Sequence, residues 1–325
     1  MWAIIGSNCF TGSHIVDALL DDPGNCVVGI SRSPEYRDLF LPYRRHRPGR
    51  FEFHQIDLVK RFDSLVELLE QVRPAVVVNV AALSEVALSN ERPVEYFEVN
   101  ATGVVRLCNY LRTSSYLQRY VHISSAEIFG SCDTPVEEGA AFHPSTPYAV
   151  SKAAADLYLA VAARNLGFQS TIVRSTNVYG AHQQLFKIVP RSVIYLKLGR
   201  IIELHGGGRA MKSFIHIRDV VRGLQLAVDR EPGTYHFTSR SDDTVADVVR
   251  RICELMGHDF DRATRMVGER PGQDARYWLD ASKSRRELGW EEQVAFDAGL
   301  REVIAWVDGN WDVIQREPLT YQHQV

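Results

Sequence analysis

At 325 residues and 45% hydrophobic, the chain can bury the core of one large domain or two closely joined ones. Its 37 basic and 40 acidic side chains leave a net charge of −3, which argues against a nucleic-acid or membrane-surface binder. Five cysteines (Cys9, Cys26, Cys108, Cys132, Cys253) without a Cys-x-x-Cys pair suggest neither a disulfide framework nor a zinc ribbon, and no apolar run reaches membrane-spanning length.

In chain order, "MWAIIG" opens directly as a strand, with no charged segment leading into an apolar one, so a soluble cytoplasmic protein is expected. "WAIIG" is followed by the helical "GSHIVDALLDD", "CVVGIS" by a loop, "FEFHQIDL" by "DSLVELLEQV", and "AVVVNVAA" by a helical region over 92–111. The loop gathers Arg32, Arg37, Arg44, Arg45, Arg47 and Arg50 with His46, a cluster that reads as solvated. "YVHISS" then leads to a helix over 148–166 and to "STIVRS". Apolar strands alternating with helices of this length predict an α/β fold: a Rossmann-type doubly wound parallel sheet, with ligands beyond the carboxyl ends of its strands. After Gly180 come a strand pair near "RIIELHGGG", a helix over 243–256 and "RPGQDARYWLDASKSRRELGW". Residues 1–180, with a returning segment at about 214–240, are therefore expected to hold a dinucleotide. Residues 181–213 and 241–325 would form a smaller α/β substrate domain.

"GSNCFTG" lies between the first strand and the first helix, where Gly6 and Gly12 permit a tight turn and the N–H groups near Cys9, Phe10 and Thr11 can meet a pyrophosphate. Cys9 stands where a middle glycine is usual; the alternative is an ordinary βα turn. At the end of the second strand, Ser31 and Arg32 replace the ribose-binding carboxylate, which favours NADP over NAD. Asp57 and Leu58 are candidates for adenine contact, Ala81 and Ala82 for the floor under the ribose and nicotinamide, and Ser84 for the substrate edge. In "PYAVSK", Tyr148 and Lys152 stand four apart on one helix face. There an ammonium is expected to lower the phenol's pKa, so that the phenolate takes a proton from an alcohol as hydride leaves for a nicotinamide.

Together these residues resemble the extended short-chain dehydrogenase/reductase family and, within it, the nucleotide-sugar 4,6-dehydratases. "HISSAEIFG" and "PYAVSKAAADLYL" are similar to its catalytic elements, "RSTNVYG" to its substrate loop, and "HGGGRAMKSFIHIRDV" to its nucleotide-side segment. "ERPGQDARYWLDASKSRRELGW" is most like deoxythymidine-diphosphate-glucose dehydratases, whereas "VVGISRS" and "SSAEIFG" look more like GDP-mannose dehydratases, which leaves the nucleotide open. The resemblance implies Tyr148 as base at the C4 hydroxyl and Lys152 as its partner on the cofactor ribose. Ser125 would bond the O4 position and Glu127 would remove the C5 proton. Asn177 would bind on the phosphate side, where Lys212 stands in place of a usual arginine, and Arg270 and Arg276 are further phosphate candidates or else exposed loop arginines. Ala126 occupies the place of an aspartate that protonates the departing C6 hydroxyl in glucose dehydratases. Glu127 would then serve as both base and acid.

His122, His143, His182 and His216 show no metal-ligand spacing, and His122 and His216 read as structural. Asn100 reads as a backbone tie and Asp219 as a helix cap. The leading expectation is 4,6-dehydration of a nucleoside-diphosphate hexose. An epimerase, decarboxylase or 4-oxidase of the same substrates is the alternative. A degenerate sugar-nucleotide-binding protein, suggested by Cys9, Ala126 and Lys212, is opposed by intact Tyr148 and Lys152. The resemblance also implies a homodimer built on the helices at 92–111 and 148–166.

Overall fold

A computed structural model describes residues 1–268 and 274–320. Seven strands form one parallel sheet: β1 (Trp2–Ile5), β2 (Val27–Ser31), β3 (Phe51–Gln55), β4 (Val76–Asn79), β5 (Arg119–Ile123), β6 (Thr171–Ser175) and β7 (Thr234–Phe237). Their spatial order is β7-β6-β5-β4-β1-β2-β3, so the winding reverses between β1 and β4 and opens a crevice at their carboxyl ends. The runs "VVGIS" and "VVVN" are buried at every position because helices cover both faces.

Side-chain alternation sorts the core into two layers. Ile4, Val78 and Val121 face helices α1 (Phe10–Asp21) and α6 (Ile217–Val228); Ala3, Ile5 and Val77 face α2 (Phe62–Val72), α3 (Gly103–Leu111) and α4 (Pro147–Leu166). A third core joins α5 (Ile188–Lys197), α7 (Val245–Met256) and α8 (Phe296–Gly309) through Val193, Ile252 and Val303. The returning segment supplies Phe214–His216, α6 and β7, which pairs with β6.

Several local expectations change. The 92–111 region is not one helix: Pro93–Phe97 passes into a π-turn at Glu98–Thr102 before α3. The helix expected from 243 begins at Val245, because Thr244 forms a capping box with Asp247 and Asp243–Thr244 pairs with Met211–Lys212. Ile202–His205 pairs with Thr264–Val267. Asp219 does not cap its helix; His216 does, and the buried Asp219 carboxylate accepts the N–H groups of Gln293 and Val294 at 2.9 and 3.1 Å. The arginine cluster is solvated as expected, with Arg37, Arg44, Arg45 and Arg47 exposed; within it Arg45 pairs with Asp17 and Asp21, and Arg50 donates to the carbonyls of Leu20 and Asp22 at the end of α1.

Candidate active site

The turn from β1 into α1 is closely packed. Gly6 has φ +96°, and a Cβ there would lie 2.6 Å from the Ala81 nitrogen, while one on Gly12 would lie 2.2 Å from the Gly6 carbonyl oxygen. Cys9 is the N-cap: its Sγ accepts the Gly12 N–H at 3.2 Å. The N–H groups of Phe10 and Thr11 have no partner within the helix, and with the helix dipole they suit a pyrophosphate. A cleft of about 260 Å³ runs from this turn past Ser31, Arg32, Asp57, Leu58, Ala81, Ala82 and Ser84. Ser31 serves the turn itself, since its hydroxyl accepts the Asn8 N–H at 3.0 Å. Asp57 accepts the N–H groups of Val59 and Lys60 at 2.7 and 2.8 Å. A glycine cradle without room for side chains, at the open end of a helix, fits a dinucleotide.

The adjoining cleft, about 310 Å³, brings Ser125, Glu127, Tyr148 and Lys152 together with Cys9, Phe10, Thr11 and Asn177. β5 delivers the chain to Ser125, whose Oγ accepts the Glu127 N–H at 3.2 Å and starts the short 3₁₀ turn Ala126–Phe129. Thr146 caps α4 and Pro147 occupies its first turn, which fixes Tyr148 and Lys152 at the mouth of the cleft. Lys152, 2% exposed, donates to the Ile123 carbonyl at 2.7 Å and lies 3.3 Å from His122 Nε2. Burial lowers its ammonium to about 8, with Asp156 opposing. Tyr148 departs from expectation: burial and the Glu127 charge push its phenol above the ordinary value, and a hydrogen bond with Ser125 pulls the other way. Burial also pushes Glu127 up to about 7; Lys212 lowers it, Asp274 raises it, and Lys187 and a Tyr277 hydrogen bond lower it.

On the sugar-nucleotide side, Glu127, Asn177, Lys212 and Tyr277 line a further cleft of about 270 Å³ with Arg191. Lys212 is 5% exposed, donates to the Asp274 carbonyl at 3.2 Å and lies 3.5 Å from the Tyr277 ring centroid, so its ammonium is already engaged. Arg276 is turned aside: it pairs with Asp242, stacks 3.4 Å from the Trp278 ring centroid, and lines neither of these two clefts. Arg270 lies outside the described residues. Ala126, 3% exposed, packs in an apolar cluster with Ala153 and Tyr277. Lys187, which the sequence reading missed, faces both the cofactor and catalytic clefts and pairs with Glu85 at 3.5 Å. The signal available was "KIVPR", which sets Lys187 and Arg191 four apart at the start of α5. His122 and His216 are buried, and Asn100 ties the Leu83 backbone to Ser151 on α4. Among the described residues no His, Cys, Asp or Glu group could hold a metal, and no helix is long and apolar enough to cross a membrane.

Comparison with known proteins gives the family. A family model described as GDP-mannose 4,6 dehydratase matches residues 4–303. The dTDP-glucose 4,6-dehydratase of Haemophilus influenzae is 27% identical, covering 93% of this chain and 96% of its own. That of Neisseria gonorrhoeae is 28% identical, covering 93% and 94%. The crystal structure of DesIV, a dTDP-glucose 4,6-dehydratase from Streptomyces venezuelae with NAD and TYD bound, superposes with a TM-score of 0.88 at 29% identity, over 98% of this chain and 99% of that one. The UDP-glucose 4-epimerase of Thermus thermophilus in complex with NAD follows with a TM-score of 0.85 at 26% identity, over 95% and 99%. Fold and site thus define an NAD(P)-dependent enzyme of the extended short-chain dehydrogenase/reductase class. Within that class the chain belongs to the GDP-mannose 4,6-dehydratase family.

Proposed function

We propose a division of labour for this nucleotide-sugar 4,6-dehydratase in which Tyr148, Ser125 and Lys152 serve the oxidation of C4 and Glu127 alone serves the loss of water across C5 and C6. A nicotinamide dinucleotide in the cleft beside Gly6 and Gly12 supplies the hydride acceptor and returns the hydride. Tyr148 takes the C4 hydroxyl proton, and Ser125 orients that oxygen. The resulting ketone acidifies C5; Glu127 takes the C5 proton and delivers it to the C6 hydroxyl, which leaves as water, and as hydride returns to C6 the enolate takes up a proton from solvent at C5. Asn177 and Lys187 face the substrate diphosphate.

The observation that carries the assignment is a buried carboxyl held near 7 in the same cleft as Tyr148. A 4-epimerase moves only the C4 hydride and the proton of the C4 hydroxyl, and needs no base at C5. A hexose nucleotide labelled with deuterium at C4 tests the reading: the label should reappear at C6 of the dehydrated product, and C5 exchange without any transfer to C6 would overturn it.

NADP is proposed as the preferred cofactor, because Arg32 lines the cleft while Asp57, the carboxylate on the adenine side, is engaged by backbone N–H groups. Residues 1–180 with about 214–240 would hold it, and 181–213 with 241–325 the sugar nucleotide. A homodimer is supported by Val150, Leu157 and Val161, exposed on the outer face of α4, with Val94 and Phe97 beside them; an exposed apolar patch of this kind is ordinarily covered. Five free cysteines suit a reducing cytoplasm.

A further inference from the structure

Behind Lys152 lies a buried polar side chain to which the division of labour above gives no task. Side chains along β5 alternate between the faces of the sheet, so His122 shares with Tyr120 the face that α4 covers. There it meets Lys152 and Asp156, which stand one helical turn apart. His122 is 0% exposed, and its Nε2 lies 3.3 Å from Lys152 Nζ and 4.0 Å from Asp156 Oδ1. Asp156 is committed elsewhere, because its Oδ2 accepts from Ser124 Oγ and Arg174 Nε, each at 2.9 Å.

These contacts fix which ring nitrogen carries the proton. An ammonium can only donate, so Nε2 is the bare acceptor and the hydrogen sits on Nδ1. Nδ1 is buried and has no hydrogen-bond partner among the described residues. A buried histidine kept for packing alone would be expected to pair both nitrogens. This one leaves its far nitrogen unpaired while its near nitrogen serves Lys152. Burial and the charges of Lys152 and Arg174 hold the imidazole well below its ordinary pKa, so it stays neutral.

We propose that His122 is the positioning residue of Lys152: its Nε2 and the Ile123 carbonyl take two of the three ammonium protons from behind and turn the third into the catalytic cleft. The carbonyl bond alone, at 2.7 Å, would leave two N–H groups of a buried ammonium without an acceptor and the side chain free to settle in more than one rotamer. With the imidazole in place a single N–H remains, and tetrahedral geometry sets its direction. The inference rests on the assignment of Lys152 to C4 oxidation, and it is independent of the fate of the sugar afterwards.

Two measurements test it. Nitrogen NMR of the protein carrying isotopically labelled histidine, with His122 assigned by its loss in His122→Gln, should show a neutral ring with the proton on Nδ1 from about pH 5 to about pH 9. A ring protonated on Nε2, or an imidazolium in that range, would overturn the proposal without any appeal to activity. The second measurement is rapid mixing with GDP-mannose or dTDP-glucose, whichever the wild type oxidises, following nicotinamide reduction. His122→Phe keeps the ring shape and loses the acceptor, so reduction should slow by roughly 10- to 100-fold, the worth of a hydrogen bond to a charged group, with the substrate KM little changed. His122→Asn stops one methylene short of Lys152 and should fall likewise, whereas His122→Gln brings an amide oxygen within reach and should stay within about threefold of the wild type. The asparagine and glutamine pair remains informative if the phenylalanine variant folds poorly. Variants that all fall together, or none that falls, overturn the positioning role alone. Oxidation that survives in Lys152→Met overturns the underlying assignment as well.

Discussion

The sulfur of Cys9 lies 3.2 Å from the amide nitrogen of Gly12 and closes the first turn of α1. A thiol is a weak acceptor, and burial raises this one to about 11, so it stays a neutral thiol at neutral pH. Cys9→Ser should therefore maintain or raise stability, and Cys9→Ala should lose roughly 0.5–2 kcal/mol, the usual cost of an absent N-cap. Thermal denaturation of both variants, with and without dinucleotide, checks the order Ser, Cys, Ala.

Glu127 and Tyr148 are electrostatically linked, since the Glu127 charge raises the phenol. Removing that charge as Glu127→Gln favours the phenolate, so the rising limb of C4 oxidation should move to lower pH. Tyr148→Phe should abolish oxidation, by roughly 10²–10⁴-fold, without weakening cofactor binding. Rapid mixing with a nucleoside-diphosphate hexose over a pH series, following nicotinamide reduction, measures both.

Arg32 lines the cofactor cleft at the carboxyl end of β2. Arg32→Ala should weaken NADP(H) by about tenfold or more, the worth of one charge-assisted hydrogen bond, and leave NAD(H) nearly unchanged. Fluorescence titration of both cofactors decides this; equal losses would place the guanidinium away from the 2′-phosphate.

Ala126→Asp puts a carboxyl into the apolar cluster of Ile128, Phe129 and Ala153, one residue from Glu127. The folded state would favour the neutral acid and so raise its pKa. The penalty appears as pH rises above the ordinary carboxylate value and is complete above the raised one. The variant should lose about 1–3 kcal/mol at about pH 8 and less at about pH 5, as read from melting temperatures. It should not accelerate water loss, because Glu127 already carries that proton.

The sheet and its crevice are legible in the chain because "WAII", "VVGIS" and "VVVN" are apolar at consecutive positions, which only a strand covered on both faces requires. Tyr148, Lys152, Ser125 and Glu127 are legible as well, since a helix period and a strand end place them locally. What escapes is set by long-range contact. The pairing of Arg276 with Asp242 has no local signal, and Asp219 looks like a cap until a loop more than 70 residues later folds onto it. Tyr277 and Asp274 lie some 150 residues from Glu127, and the parallel pairing that brings Tyr277 to Lys212 carries no periodic signal. Tyr148's raised pKa escapes for another reason: the sequence shows the helpful ammonium, whereas burial and an opposing carboxylate emerge only on folding.

The twenty residues of α4 are committed on opposite sides, with Tyr148 and Lys152 turned into the cleft and Val150, Leu157 and Val161 turned outward. Between them, Ala155, Leu159 and Ala162 fill the core against α2 and α3. A saturation library across this helix should consequently find few neutral positions beyond the exposed Ala160, Arg164, Asn165 and Leu166 in its last two turns. The inward and outward substitutions should fail in separable assays, the former in hydride transfer with normal sedimentation, the latter in sedimentation first. With the proposed homodimer on this face, drift in the segment would be throttled twice, by chemistry and by surface, and a homologue that keeps one face while losing the other would reveal which constraint was relaxed.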